Sequence, residues 1–187
     1  MTAEWLTALS SLATFIVIGA SAIAALIQIR HVRNSNQIVV FNEMHHQLDS
    51  KEFQATLNFI RKELPKRMQN PEYRRDLLLG QAPEWQAIRD VANFFDHAAV
   101  PVKHGMVNRD LACDVWYSAV VSTWDALAPF TASMRKVRGV RLWEDFEYFA
   151  LVCKAFRKRY PNGTFPKGMP GAPLPEPWPE SYEVRQN

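Results

Sequence analysis

Two cysteines in 187 residues exclude a disulfide framework. No glycine-rich phosphate loop is present, no stretch alternates convincingly enough for a strand, and no repeat of fixed period is visible. Charge of one sign is also scarce. Lysine plus arginine number 22 against 19 acids, and the resulting +3 is too small to announce a nucleic-acid partner, so none is expected. What the chain does have is the composition of a folded protein, with 48% hydrophobic and 22% charged residues in a length suited to one domain of ordinary size. The layout is uneven. The first thirty residues are nearly uncharged, and seven of the 12 prolines lie from Pro161 onward.

Charge is missing altogether from Trp5 to Ile29. As a helix this run is about 37 Å long at 1.5 Å per residue, against roughly 30 Å of bilayer hydrocarbon. Trp5 stands at one end, where an indole favours the interface. The hydroxyls of Thr7, Ser10, Ser11, Thr14 and Ser21 are mild, since each can bond a carbonyl one turn back. Three other readings compete with a spanning helix. A cleaved signal peptide has a candidate site at Ala20-Ser21-Ala22, but the leading segment carries Glu4 and no basic residue. A buried core helix is shorter as a rule. A helix lying on the membrane surface needs a charged face.

The flanks orient the span. Only Glu4 precedes it, whereas Arg30, His31 and Arg33 follow with no acid until Glu43. The positive-inside rule then places the N-terminus outside and residues 30–187 in the cytoplasm. No second stretch is as long without charge, so one pass is expected. Ala20-x-x-x-Ala24 and Ser21-x-x-x-Ala25 put small residues on neighbouring faces, a route to close helix approach and to a homo-oligomer.

Beyond the span the pattern is helical. Phe41, Met44 and Leu48 continue the first helix. Asp49 with Glu52 reads as a capping box opening a second helix, with Phe53, Leu57, Ile60 and Leu64 on one face and Pro65 as its end. Residues 65–83 read as a polar connection with one short helical turn. Pro83 suits a helix start, and Trp85, Ile88, Ala92, Phe95, Ala99 and Val102 then hold one face, with a kink expected at Pro101 and a stop at Gly105. Asn108 caps a helix that is apolar on almost every side, as at the centre of a bundle, with a frayed end between Pro129 and Gly139. Leu142, Phe146, Phe149, Cys153, Phe156 and Tyr160 form the last helical face, stopped by Pro161-Asn162-Gly163. The remainder reads as an extended tail.

Two segments carry a resemblance: VANFFDHAAVPVKHGMVNRDLACDVWYSAVVSTWDAL, Val91 to Leu127, and LWEDFEYFALV, Leu142 to Val152. With them the chain resembles an uncharacterised family of small bacterial proteins, classed as a domain of unknown function, over most of residues 1–160. The resemblance implies an N-terminal membrane helix followed by a cytosolic helical domain. It implies no activity, cofactor or substrate.

Several constellations hold polar residues that chemistry could use. Glu43-x-x-His46 has the i, i+3 spacing of bundle di-iron ligands, but a second such motif is missing and Glu144 with Glu147 lacks the histidine, so no metal site is expected. Asp96, His97 and His104 could serve acid–base chemistry. Against that, no nucleophile is tied to them, and Asp96 is expected to form an ion pair or cap a neighbouring helix. Asp125 needs a partner if buried, with Arg89 or a basic residue of the 135–141 run as candidates. Cys113 and Cys153 read as small core residues.

Arg135, Lys136, Arg138 and Arg141, joined by Lys154, Arg157, Lys158 and Arg159, offer a face for anionic headgroups or simply for water. The Asn162-Gly163-Thr164 acceptor is not presented to glycosylation if this part is cytosolic. The tail prolines Pro170, Pro173, Pro175, Pro177 and Pro179, with Trp178 and Tyr182, could dock in an aromatic groove or fold back on the bundle.

The fold class expected is thus all-α. Residues 1–30 form a transmembrane anchor, 31–160 a cytosolic bundle of four or five helices, and 161–187 a proline-rich tail. The function expected is that of a single-pass protein of a bacterial inner membrane that binds an unknown protein partner or oligomerises at the cytoplasmic face, without a cofactor. A ligand sensor or enzyme using Asp96, His97 and His104, and a small subunit of a larger membrane complex, are the alternatives.

Overall fold

The computed structural model describes residues 3–166, 168 and 169. The described residues form seven helices and no strand: α1 (Ala3–Leu48), α2 (Lys51–Lys62), α3 (Leu64–Arg67), α4 (Pro71–Leu79), α5 (Trp85–Lys103), α6 (Arg109–Arg138) and α7 (Glu144–Arg159). The expected all-α class holds. Residues 170–187 lie outside the described residues, and with them Pro170, Pro173, Pro175, Pro177, Pro179, Trp178 and Tyr182.

α1 is one uninterrupted helix of 46 residues that changes environment along its length. Leu9–Ile29 is long and apolar enough to cross a membrane, and none of it is buried inside the protein. A helix of those 21 residues spans about 31 Å, close to the hydrocarbon thickness. The last two turns are different. Met44 and Leu48 are buried, and the Phe41 ring stacks on Trp116 of α6 with centroids 4.4 Å apart and planes at 25°. Steps of three and four residues put these three side chains on one face, and that face enters the core.

α2 starts one residue later than the spacing indicates. Ser50, in extended backbone, is the cap, and its hydroxyl accepts the Phe53 N–H at 3.3 Å. Asp49 is still engaged by α1, because its own N–H closes that helix on the His45 carbonyl and its carboxylate pairs with the His45 ring at 3.4 Å. Pro65 does not terminate α2. It sits in the first turn of α3, where a missing N–H leaves no bond unmade. The polar connection also holds more helix than expected. Asn70 caps α4 through the Glu72 N–H at 2.8 Å, Pro71 sits in its first turn, and Gly80 closes it at φ 77°. A side chain at Gly80 would meet the Trp85 indole at 3.3 Å and would be strained at that φ, so both turn and packing require glycine there. One apolar side chain of α4, Leu77, is buried, which is why the segment carries so faint a periodic signal.

The core is built by α5, α6 and α7, with α2 laid across α5 and α6. α5 buries Ile88, Val91, Ala92, Phe95, Ala98, Ala99 and Val102, and runs through Pro101 to Lys103. Asn108 caps α6, its side-chain oxygen accepting the Leu111 N–H at 3.0 Å. α6 does not end at Pro129. It continues to Arg138 because Phe130, Thr131 and Met134 beyond the proline are buried. α7 inserts Phe146 between two aromatic neighbours, stacked on Phe95 at 4.9 Å and edge-on to Trp124 at 5.1 Å. Each buried aromatic of this kind contributes about 2–3 kcal/mol by area alone.

Candidate functional site

The end of α1 and the outward side of α5 form an open groove of about 360 Å³, lined by Met44, Gln47, Asp90, Asn93, His97 and Pro101 among others. Its polar groups are partly committed. The Asn93 oxygen accepts the Trp143 indole N–H at 2.9 Å, and Asp90 accepts the Gln86 amide at 2.9 Å. His97 is exposed on the groove wall.

Asp96 points the other way, into the start of α7. Its Oδ1 accepts the backbone N–H groups of Asp145 and Phe146 at 3.1 and 3.0 Å. α7 lacks a local cap, because the residue before it is Trp143, which is left-handed at φ 54° and makes no side-chain capping bond. A carboxylate on α5 therefore caps α7 across the core, at the end where the helix dipole favours negative charge. Lys103 on α5 reinforces the junction through Asp145 at 2.5 Å. His104 lies at the C-terminal end of α5, exposed, with its N–H on the Val100 carbonyl. The three residues singled out together thus occupy three different settings: a helix cap, a groove wall and a helix end.

Asp125 pairs with Lys154 of α7 at 2.6 Å rather than with Arg89 or the 135–141 run. The sequence carries no local signal of this partner, because the two residues meet only when α6 and α7 are side by side. Arg135, counted among the outward basic residues, is largely turned inward. Its guanidinium donates to the Leu142 carbonyl at 2.9 Å, the Trp143 carbonyl at 3.3 Å and Glu147 at 2.6 Å, tying the α6–α7 connection together. Arg141 pairs with Glu144 at 2.8 Å. That bond raises the Arg141 guanidinium above its ordinary value and lowers the Glu144 carboxyl below its own. Arg138 lies over the Trp85 ring at 5.4 Å, and Lys136 is exposed. Arg159 pairs with Asp110 at 2.5 Å.

Cys113 on α6 and Cys153 on α7 are both fully buried free thiols with their sulfurs 3.0 Å apart, the Cys153 S–H donating to Cys113. Donating that hydrogen bond, together with burial, pushes the Cys153 thiol well above the ordinary range, whereas accepting it lowers Cys113. Forty residues separate them, so their pairing had no local signal. Among the described residues no group of three or more His, Cys, Asp or Glu side chains is placed to hold a metal ion. Glu43 and His46 are exposed on the last turns of α1.

These features define an all-α protein whose first helix carries one exposed stretch long and apolar enough to cross a membrane, joined end-on to a helical bundle. The chain belongs to the DUF4760 family, a domain of unknown function, which matches residues 15–152. The match begins inside the apolar stretch of α1 and ends within α7. No curated protein and no solved structure matches the chain.

Proposed function

We propose that this protein is a single-pass anchor of the inner membrane, with its N-terminus outside, and that its cytoplasmic bundle holds a protein partner or a second copy at the membrane face. The observation that carries the reading is the division of α1. Ten large apolar side chains between Leu9 and Ile29 are exposed. Leaving each in water forfeits about 1.5–3 kcal/mol, together more than the usual net stability of a domain. A lipid surround supplies the missing burial. The family match, starting at residue 15, covers most of this stretch and supports its retention in the working protein over removal as a leader.

Rigidity gives the anchor a purpose beyond tethering. Because α1 is unbroken from Ile29 to Phe41, the first bundle contact among the described side chains lies about 18 Å along the axis from the end of the apolar stretch. Headgroups occupy roughly the first 5–8 Å of that distance. The stand-off leaves room for a partner between bundle and bilayer, and it favours protein contact over lipid contact for the basic residues, several of which already have carboxylate partners.

The test is membrane fractionation of the full chain with a C-terminal tag. The tag is expected in the pellet after alkaline carbonate extraction and protected from protease in spheroplasts. A soluble tag removes the anchor, and a tag digested from outside inverts the topology; either result sinks the reading.

A further inference from the structure

We propose that Cys113 and Cys153 form a peroxide-oxidisable dithiol whose disulfide staples α6 to α7 beneath the seat of α1. The two sulfurs are 3.0 Å apart, fully buried, and close to no other thiol, since the chain has two cysteines. A disulfide bond needs roughly 2 Å between sulfurs, so about 1 Å of approach makes it. A pair held this way is already arranged to cross-link within one molecule and badly arranged to do so between two.

A small oxidant would reach the pair from the nearest opening in the surface. A groove of about 300 Å³ opens beside it, bounded by Asp110 and Asp114 on α6, Phe156 and Tyr160 on α7, and the chain at Thr164 and Phe165. Asp110 lies one turn before Cys113 and Phe156 one turn after Cys153, so the groove lies one helical turn from each cysteine, and the sulfurs themselves are closed off from it. Thr164 holds the groove's outer edge in place through its hydroxyl on Asp114 at 2.9 Å.

The roles of the two thiols differ. Cys153 donates its S–H to Cys113, which makes Cys113 the better nucleophile. The Cys113 sulfur attacks one peroxide oxygen; an S–O bond forms, the O–O bond breaks, and the departing hydroxide takes the proton shed by the Cys113 thiol to leave as water. Cys113 is then a sulfenic acid. The Cys153 sulfur attacks it; the S–S bond forms, the S–O bond breaks, and the leaving hydroxide takes the Cys153 proton as a second water. Two thiols and one hydrogen peroxide become one disulfide and two waters. In a reducing cytoplasm the pair rests as thiols and the disulfide marks oxidative exposure.

The location gives the bond a consequence. Trp116, which carries Phe41 of α1, is one turn from Cys113 on the same helix. Stapling closes a loop of about 40 residues and ties α7 to α6, the helix whose Trp116 carries Phe41 of α1.

The test uses the full-length protein in detergent, treated with hydrogen peroxide, quenched, denatured and alkylated. The wild type is expected to lose both alkylatable thiols, to yield one cross-linked peptide pair from a monomer, and to melt higher by on the order of 10 °C. Cys153→Ser is expected to trap a dimedone-reactive sulfenic acid at Cys113, and Cys113→Ser none at Cys153. Thiols that stay alkylatable after peroxide, a disulfide that links two chains, a disulfide that leaves melting unchanged, or a sulfenic acid trapped at Cys153 would each overturn the proposal.

Discussion

The Phe41 ring of α1 stacks on the Trp116 ring of α6 at 4.4 Å, and this contact joins the exposed apolar helix to the bundle. Met44 and Leu48 extend the junction, but Phe41 is its outermost aromatic. Phe41→Ala is expected to remove about 2 kcal/mol of packing, less than a fully buried phenylalanine because the ring is half-buried. Limited proteolysis of the full chain in detergent should show faster cleavage between residues 35 and 50, while the α5–α7 core keeps its resistance. Unchanged cleavage would mean that Met44 and Leu48 hold the junction alone.

Asp96 is expected to behave as a structural cap. Asp96→Ala should cost about 2 kcal/mol, for two N–H groups left without an acceptor, and Asp96→Asn roughly half of that. Chemical denaturation of each variant measures this. A variant that stays fully stable would separate Asp96 from α7 and reopen a chemical role for it.

Arg135 acts through the geometry of its fork. Arg135→Lys retains the charge but cannot reach the Leu142 and Trp143 carbonyls and Glu147 together. Both Arg135→Lys and Arg135→Ala are expected to destabilise, by about 1–2 and 2–3 kcal/mol, with the loss seen in thermal melts. Equal stability of the lysine variant and the wild type would reduce the residue to an ordinary surface charge.

Tyr73 supplies a pH signature. Burial first, and then the negative Glu84 that accepts its hydroxyl at 3.1 Å, push the phenol from 10 up to about 12. The folded state favours the neutral phenol, so its contribution to stability is complete below pH 10 and is lost as pH rises through about 12. In an absorbance titration one of the five tyrosines should ionise late, and Tyr73→Phe should remove that late step. A late step that survives the substitution would assign it to another tyrosine.

Periodicity made most of the helices legible. Helical spacing picks out Ile88, Ala92, Phe95, Ala99 and Val102 of α5 and Phe146, Phe149, Cys153 and Phe156 of α7, all buried, and the cap at Asn108, but not the flanking Val91, Ala98 and Ala150, while Leu142 and Tyr160 fall just outside α7. The connection over 65–83 reads as one short turn, less helix than it holds, because the signal of α4 is all in its ends, Asn70-Pro71 and Gly80, with Leu77 alone buried between them. The misplaced cap of α2 is a matter of one residue: Asp49 and Ser50 are both good caps, and the closing bond of α1 onto Asp49 left Ser50 to serve. The polar residues were less legible still. Asp96, Asp125 and Arg135 were conspicuous in sequence, yet each finds its partner on α7 or in the connection leading to it.

What the sequence determined by itself was everything set by runs and spacings along one chain: an uncharged stretch matched to a bilayer, basic residues on one flank, apolar faces at helical intervals, and a family likeness carried by packing residues. These are local because hydrophobic length and helical period act within a single segment. Tertiary structure alone decided that Asp96 caps α7, that Lys154 answers Asp125, and that Cys113 meets Cys153. Hydrogen bonds and thiol contacts depend on distances of about 3 Å between atoms on different helices. Such distances exist only after α5, α6 and α7 have packed.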